Sequence, residues 1–159
     1  PRQPERRPPL PPLDPVERQK WLSRWDTEQA RALGVRAVDV QRSFAHFTIQ
    51  LPYGDERDED PSYFVAALLY AVDIAAVAAA NAGIDQARQQ GNGTASLHVN
   101  VVETPSSPVD VEAHILAWAD YQALAQMTAR DRDGQLVAQC LSAYSLRPKP
   151  EGPQNEGAR

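Results

Sequence analysis

The sequence predicts an α+β fold, a mostly antiparallel sheet wrapped around one long central helix, with an extra helix ahead of it. Three observations carry this. Residues from about Ser62 to Gln90 are alanine-rich and apolar nearly all round, the pattern of a helix enclosed by other elements. Two segments before this run and three or four after it have the composition or alternation of strands. The links between these segments are short, so successive strands run antiparallel.

Taken in order, Asp14-Pro15 opens a helix as an N-cap followed by proline at the first helical position. Trp21, Leu22, Trp25, Ala32 and Leu33 supply its apolar stripe, and Gly34 is its stop. The stretches "VRAVDV" and "RSFAHFTIQLP" follow as strands. In the second, Phe44 and His46 share one face, while Phe47, Ile49 and Leu51 alternate with polar neighbours up to Pro52. "YGDERDEDPS" is an acidic loop, either a solvated connection or a lid over a site. The long helix is expected to end at Gly91-Asn92-Gly93.

"TASLHVNVVE" then places Ala95, Leu97, Val99 and Val101 on one face, and Ser96, His98 and Asn100 on the other. "DVEAHILAWADY" places Val111, Ala113, Ile115 and Ala117 together. "ALAQMTARD" and "LVAQCLSAYSL" flank Arg132-Asp133-Gly134, a hairpin signal. There are no internal repeats.

The composition bounds what such a chain does. At 159 residues it is long enough for one domain with a real core. Of its 14 prolines, seven lie in residues 1–15 and three from Pro148 onward. The reading is therefore a folded domain over 15–147 between disordered Pro-rich tails at 1–14 and 148–159. Net charge is −5, and no Lys or Arg occurs between Arg88 and Arg130, a poor surface for tracking nucleic-acid phosphates. The lone Cys140 excludes an intramolecular disulfide, and three scattered histidines offer no metal-ligand spacing. The apolar helix has neither positive flanks nor adequate uninterrupted length for a membrane span, and no signal peptide is read. A cytoplasmic protein without nucleic-acid or membrane partners is expected.

One residue asks for a reason. Asp73 stands in the middle of "AALLYAVDIAAVAAANAG", residues 66–83, where an ionised side chain is costly unless paired or hydrogen-bonded. Asn81 follows eight residues later. With "LHVNVVETP", containing Asn100 and Pro105, and "RDRDGQLVA", these residues fall in an order and spacing similar to hot-dog-fold acyl-CoA thioesterases of the phenylacetate-degradation type.

The resemblance, covering about residues 35–147, implies a hot-dog fold and hydrolysis of an acyl or aroyl thioester carried by coenzyme A or a carrier protein, without a cofactor. It implies a homodimer or homotetramer with the site shared between subunits. Asp73 would be the nucleophile or the general base for water, and Ser96 would help position that water. Backbone N–H groups at the start of the other subunit's helix would hold the carbonyl oxygen. Relatives carry His-Gly-Gly where this chain has Phe64-Val65-Ala66, an Asn near Asp58, and Thr or Ser at Val77. With Asn81, Asn100 and Trp118, these positions complete the substrate-binding set.

Each position has a structural reading beside the functional one. Asp73 could be held by backbone of a partner subunit, Asn81 could pack at the helix end, and Trp118 could be sheet packing instead of an acyl-pocket wall. Two other functions stay open: a non-catalytic acyl- or lipid-binding module, favoured by the missing glycines, and a hydratase or dehydratase pairing Asp73 with His46 or His98.

Overall fold

The computed structural model describes residues 10–50, 61–103, 105 and 107–149. Helix α1 spans Pro15–Trp25, and Asp14 caps it as expected. The Asp14 carboxylate accepts from the N–H groups of Val16 and Glu17, both at 2.8 Å, and the Glu17 side chain reaches back to the Asp14 N–H. The helix predicted to continue to Leu33 is broken in two. Asp26 leaves the helical region and Thr27 starts a short α2, Glu28–Ala32, its hydroxyl accepting from the Ala30 N–H. Asp and Thr compete with a helix's own hydrogen bonds, and adjacent they favour a stop and a new cap. Gly34 ends this region at φ +68°, where a side chain would run into the Gln50 carbonyl.

Strands β1, Val35–Gln41, and β2, Phe44–Ile49, form the first hairpin. Helix α3, Pro61–Gly83, follows, and then β3, Gln89–Val101, β4, Val109–Trp118, β5, Gln122–Asp131, and β6, Leu136–Pro148. The six strands form one sheet in the order β1-β2-β4-β5-β6-β3, with every pairing antiparallel. The hairpin at Arg132-Asp133-Gly134 is borne out. Asp131 accepts from the N–H groups of Asp133 and Gln135, and Gly134 sits at φ +78°.

Helix α3 lies across the sheet, its Leu68, Val72, Ala75 and Ala79 fully buried against Phe47, Ile49, Val111 and Met127 in the core. By length and composition Ser62–Gly83 could cross a bilayer, with 22 residues and mean hydropathy 2.0, which corrects the expectation that it is too short. Of the apolar window, 61% is buried within the fold. The α+β architecture of an antiparallel sheet around one central helix, with an extra N-terminal helix, is thereby borne out.

The end of α3 is a second correction. The helix stops at Gly83, seven residues before the predicted Gln90. Gly83 packs directly on the Trp118 ring, where no Cβ fits, and Asp85 turns the chain by accepting from Ala87, Arg88 and Gln89 N–H groups. From Gln89 the backbone pairs with β6, so Gly91 and Gly93 lie within a strand. There they accompany bulges, which glycine in a strand also signals.

Helix α1 closes the β1 side of the core with Trp21, Leu22 and Trp25. Trp25 meets Phe47 edge to face at 6.5 Å, and Arg18 pairs with Asp39 at 2.6 Å. Leu13 packs on this core, and the Lys149 N–H donates to the Arg88 carbonyl. The remainder of both expected tails, and most of the acidic loop including Asp58, lie outside the described residues.

Candidate active site

Helix α3 is mostly buried, with Tyr63 and Tyr70 turned toward α2 and one further stripe left open. Ser62, Ala66, Leu69, Asp73, Val77 and Asn81 recur every three or four residues, and all are half-buried or exposed. This explains how an acid is accommodated in an apolar helix. Asp73 occupies the flank that the sheet leaves open, beside the edge strand β3.

Among the described residues, one hydrogen bond holds the carboxylate there. The Thr94 hydroxyl donates to Asp73 Oδ1 at 2.6 Å, a short, charge-assisted contact that leaves Oδ2 for other partners. A bulge brings Thr94 to this place. Thr94 pairs with Tyr144 and Ser96 with Ala143, so Ala95 is an extra residue between them. Tyr144 is buried on the helix-facing side of β6, and Thr94 shares that side.

Ser96, paired with the outward Ala143, stands on the outer face with His98 and Asn100, all exposed. Within the chain, Ser96 and Asn100 are therefore not brought to Asp73. Thr94 was missed because strict alternation cannot register an inserted residue, although the Gly-Asn-Gly run just before it is a bulge signal.

The other expected residues divide between the stripe and the core. Val65 is 40% exposed and lies with Ala66 near the start of α3, whereas the Phe64 side chain turns into the core. Nine residues separate Phe64 from Asp73, about 13 Å along the axis at 1.5 Å per residue. The first amides of a helix and its own Asp73 are therefore too far apart to act on one carbonyl. Val77 is half-buried one turn past Asp73 and has no hydroxyl. Asn81 donates through Nδ2 to the Val77 carbonyl and to Tyr144 Oη, both at 2.9 Å, which ties the end of α3 to β6. Gly91 makes room for this link, since a Cβ there would overlap Tyr144 Oη and come within 2.7 Å of Asn81 Oδ1.

Trp118 packs with Val77, Ala80, Ile84, Ala123, Tyr144 and Leu146. A bulge between Ile115 and Ala117 reverses the alternation of β4, so Trp118 faces α3 and Ala117, expected on the inner face, is exposed. Cys140 is buried, and burial pushes its thiol up to about 11.

His46 contacts Asp110 at 2.9 Å from the side of β2 opposite buried Ala45 and Phe47. With His98 also outward, neither histidine reaches Asp73 within the chain. Among the described residues no cluster of His, Cys, Asp or Glu could hold a metal ion.

No protein-family model matches the sequence, and no curated protein matches it. Solved structures do match in fold. The PaaI protein of the Escherichia coli phenylacetic acid degradation operon is 12% identical over 77% of this chain and 86% of its own, with TM-score 0.62. A thioesterase from Haemophilus influenzae is 13% identical over 86% and 94%, with TM-score 0.62. A conserved protein from Pseudomonas aeruginosa is 15% identical over 81% and 98%, with TM-score 0.64. At these identities the likeness is one of fold, and the expected hot-dog fold is borne out.

Proposed function

We propose that the protein hydrolyses an acyl or aroyl thioester, with Asp73 as general base or nucleophile. The observation that carries this reading is the Asp73 carboxylate, held through Oδ1 by Thr94 on the open stripe of α3 between Leu69 and Val77. With one oxygen engaged, the other is left to take a proton from water as the water oxygen adds to the thioester carbonyl. The tetrahedral adduct then expels the thiolate, which leaves as thiol once it is protonated, and the acyl group departs as carboxylate. Attack by the carboxylate itself would give an anhydride that water cleaves to the same products. Thr94 orients the carboxylate, a different role from the positioning of water expected of Ser96. Leu69, Val65 and Val77 line the stripe with apolar surface, which suits an acyl chain or an aromatic ring and not a charged group.

The carbonyl oxygen needs donors that α3 cannot supply beside its own Asp73, given the separation of about 13 Å along the helix. The first N–H groups of the helix in a second copy would do so, since a helix N-terminus favours developing negative charge. β3 is an edge strand, and Val65, Leu69, Val101 and Val102 are exposed, features that favour pairing with another copy. The finer assignment is thus a homodimer, or a tetramer built from such dimers, with sites shared between subunits. The Haemophilus influenzae neighbour is described as a thioesterase, in keeping with this reading.

A non-catalytic acyl-binding module is the second reading. It is favoured by Phe64-Val65-Ala66, where side chains stand in place of glycines that would let a carbonyl approach the backbone. A hydratase is disfavoured by the outward placement of His46 and His98. Purified protein incubated with a panel of acyl and aroyl thioesters, with free thiol followed colorimetrically, tests the proposal. Turnover of at least one thioester is expected, whereas saturable binding without thiol release supports the binding module.

A further inference from the structure

At the C-terminal end of α3, about three turns past Asp73, lies a cleft of about 430 Å3. It opens between α1, the β1–β2 turn and the turn that follows α3. One wall is the face of α1 formed by Glu17, Lys20, Trp21 and Arg24, spaced as i, i+3, i+4 and i+7. Leu10 and Leu13 form a second wall, and Arg42 with the turn Ile84–Ala87 closes the cleft.

The charges in the cleft are poorly matched. Lys20 and Arg24 have no carboxylate partner among the described residues. The Arg24 guanidinium lies over the Trp21 ring at 5.4 Å, a contact that orients it without neutralising it. Arg42 donates from Nε to the Pro11 carbonyl at 3.0 Å and from Nη1 to the Ala82 carbonyl at 2.7 Å. Its guanidinium is thereby fixed, keeps full charge, and retains three of its five N–H donors.

The two acids on the rim are already engaged. Glu17 closes the cap of α1, and Asp85 accepts from the Ala87 N–H and faces Arg88 at 3.6 Å. In a chain of net charge −5, one cleft therefore gathers three cations and two carboxylates, a net positive lining, beside Trp21, Leu10, Leu13 and Ile84.

We propose that this cleft binds a nucleoside diphosphate, with the phosphates among Lys20, Arg24 and Arg42 and the base against Leu10, Leu13 and Ile84. A carboxylate would engage one fork, whereas a diphosphate spreads several charged oxygens over the distance between two elements. The apolar walls suit a flat heterocycle, and the volume falls in the range of small-ligand pockets. The proposal stands independently of thioester hydrolysis.

Calorimetric titration of the full chain with ADP tests it, with adenosine and coenzyme A as comparison ligands. The variant is Lys20→Gln combined with Arg24→Gln, both exposed positions, and a thermal melt verifies that it is folded. ADP is expected to saturate below roughly 1 mM, to weaken at least tenfold in the double variant, and to weaken as salt rises. Adenosine should not bind. Coenzyme A carries the same diphosphate: a parallel loss in the double variant makes the cleft a nucleotide site for a thiol carrier, and binding by ADP alone makes it a site for free nucleotide. Adenosine binding as well as ADP, a folded double variant with unchanged ADP affinity, or no ADP saturation at millimolar concentration would each overturn the proposal.

Discussion

Replacing Thr94 with valine removes the hydroxyl that holds Asp73 and keeps the β-branched shape that suits a strand. The bond lost is short, 2.6 Å, and made to a carboxylate. Hydrogen bonds to charged groups are worth about 1.5–3 kcal/mol. Thr94 is exposed and Asp73 half-buried, so water competes for both, and a value at or just below that range, about 1–1.5 kcal/mol, applies here. If that free energy serves to align the carboxylate, kcat falls roughly 5- to 15-fold, since about 1.4 kcal/mol corresponds to tenfold. KM should stay level, because Thr94 acts through Asp73 and does not itself hold the acyl group. Thr94→Ser restores the donor and should recover most of the rate. The assay is steady-state release of thiol from the best thioester substrate. Thr94→Val within twofold of the parent, or Thr94→Ser as slow as Thr94→Val, would refute the claim that this hydroxyl positions the acid.

Three further outcomes follow from the same geometry. Gly91→Ala drives a methyl group into Tyr144 Oη and Asn81 Oδ1, so it should cost about 1–3 kcal/mol and lower Tm by several degrees, a loss that a thermal melt reads directly. Sedimentation at micromolar concentration should show at least a dimer, and a clean monomer would remove the shared carbonyl-oxygen site. The same acyl group on coenzyme A and on pantetheine should be hydrolysed with similar kcat/KM, because residues 89–129 supply no Lys or Arg and the cleft cations gather on α1 and the β1–β2 turn, not beside Asp73. A hundredfold preference for coenzyme A, about 2.7 kcal/mol, would show that phosphate contacts are made after all.

Much of the fold was legible because it depends on features that survive local irregularity. The apolar run around Asp73 has to be enclosed, the alternating segments have to form a sheet, and Asp133-Gly134 closes a hairpin in almost any context. The end of α3 was not legible. "IDQARQQ" is compatible with a helix, and only pairing of Gln89 onward with β6 and the contact of Gly83 with Trp118 decide against it. Within the site, Asp73 and its setting could be read, but its partner could not. The extra residue at Ala95 re-aims Thr94 inward, and the bulge near the end of β4 does the same for Trp118. Alternation is a count of two, and each inserted residue resets it. Asn81 was singled out by its spacing from Asp73, yet its bond to Tyr144 depends on a strand 63 positions away in sequence.

The central claim, that Asp73 performs thioester hydrolysis, is tested most directly by thiol release from the parent protein and from Asp73→Asn under identical conditions. Cys140 is buried with its thiol pushed up to about 11, so at pH 8 it should add little background to a thiol reagent. Asparagine preserves the shape and can still meet the Thr94 hydroxyl, but it can neither accept the proton nor attack the carbonyl. The account predicts a fall of about 100-fold or more in kcat, the scale of a lost general base, with Tm level or higher. Turnover within a few-fold of the parent, accompanied by a large drop in Tm, would contradict it and make Asp73 a structural acid.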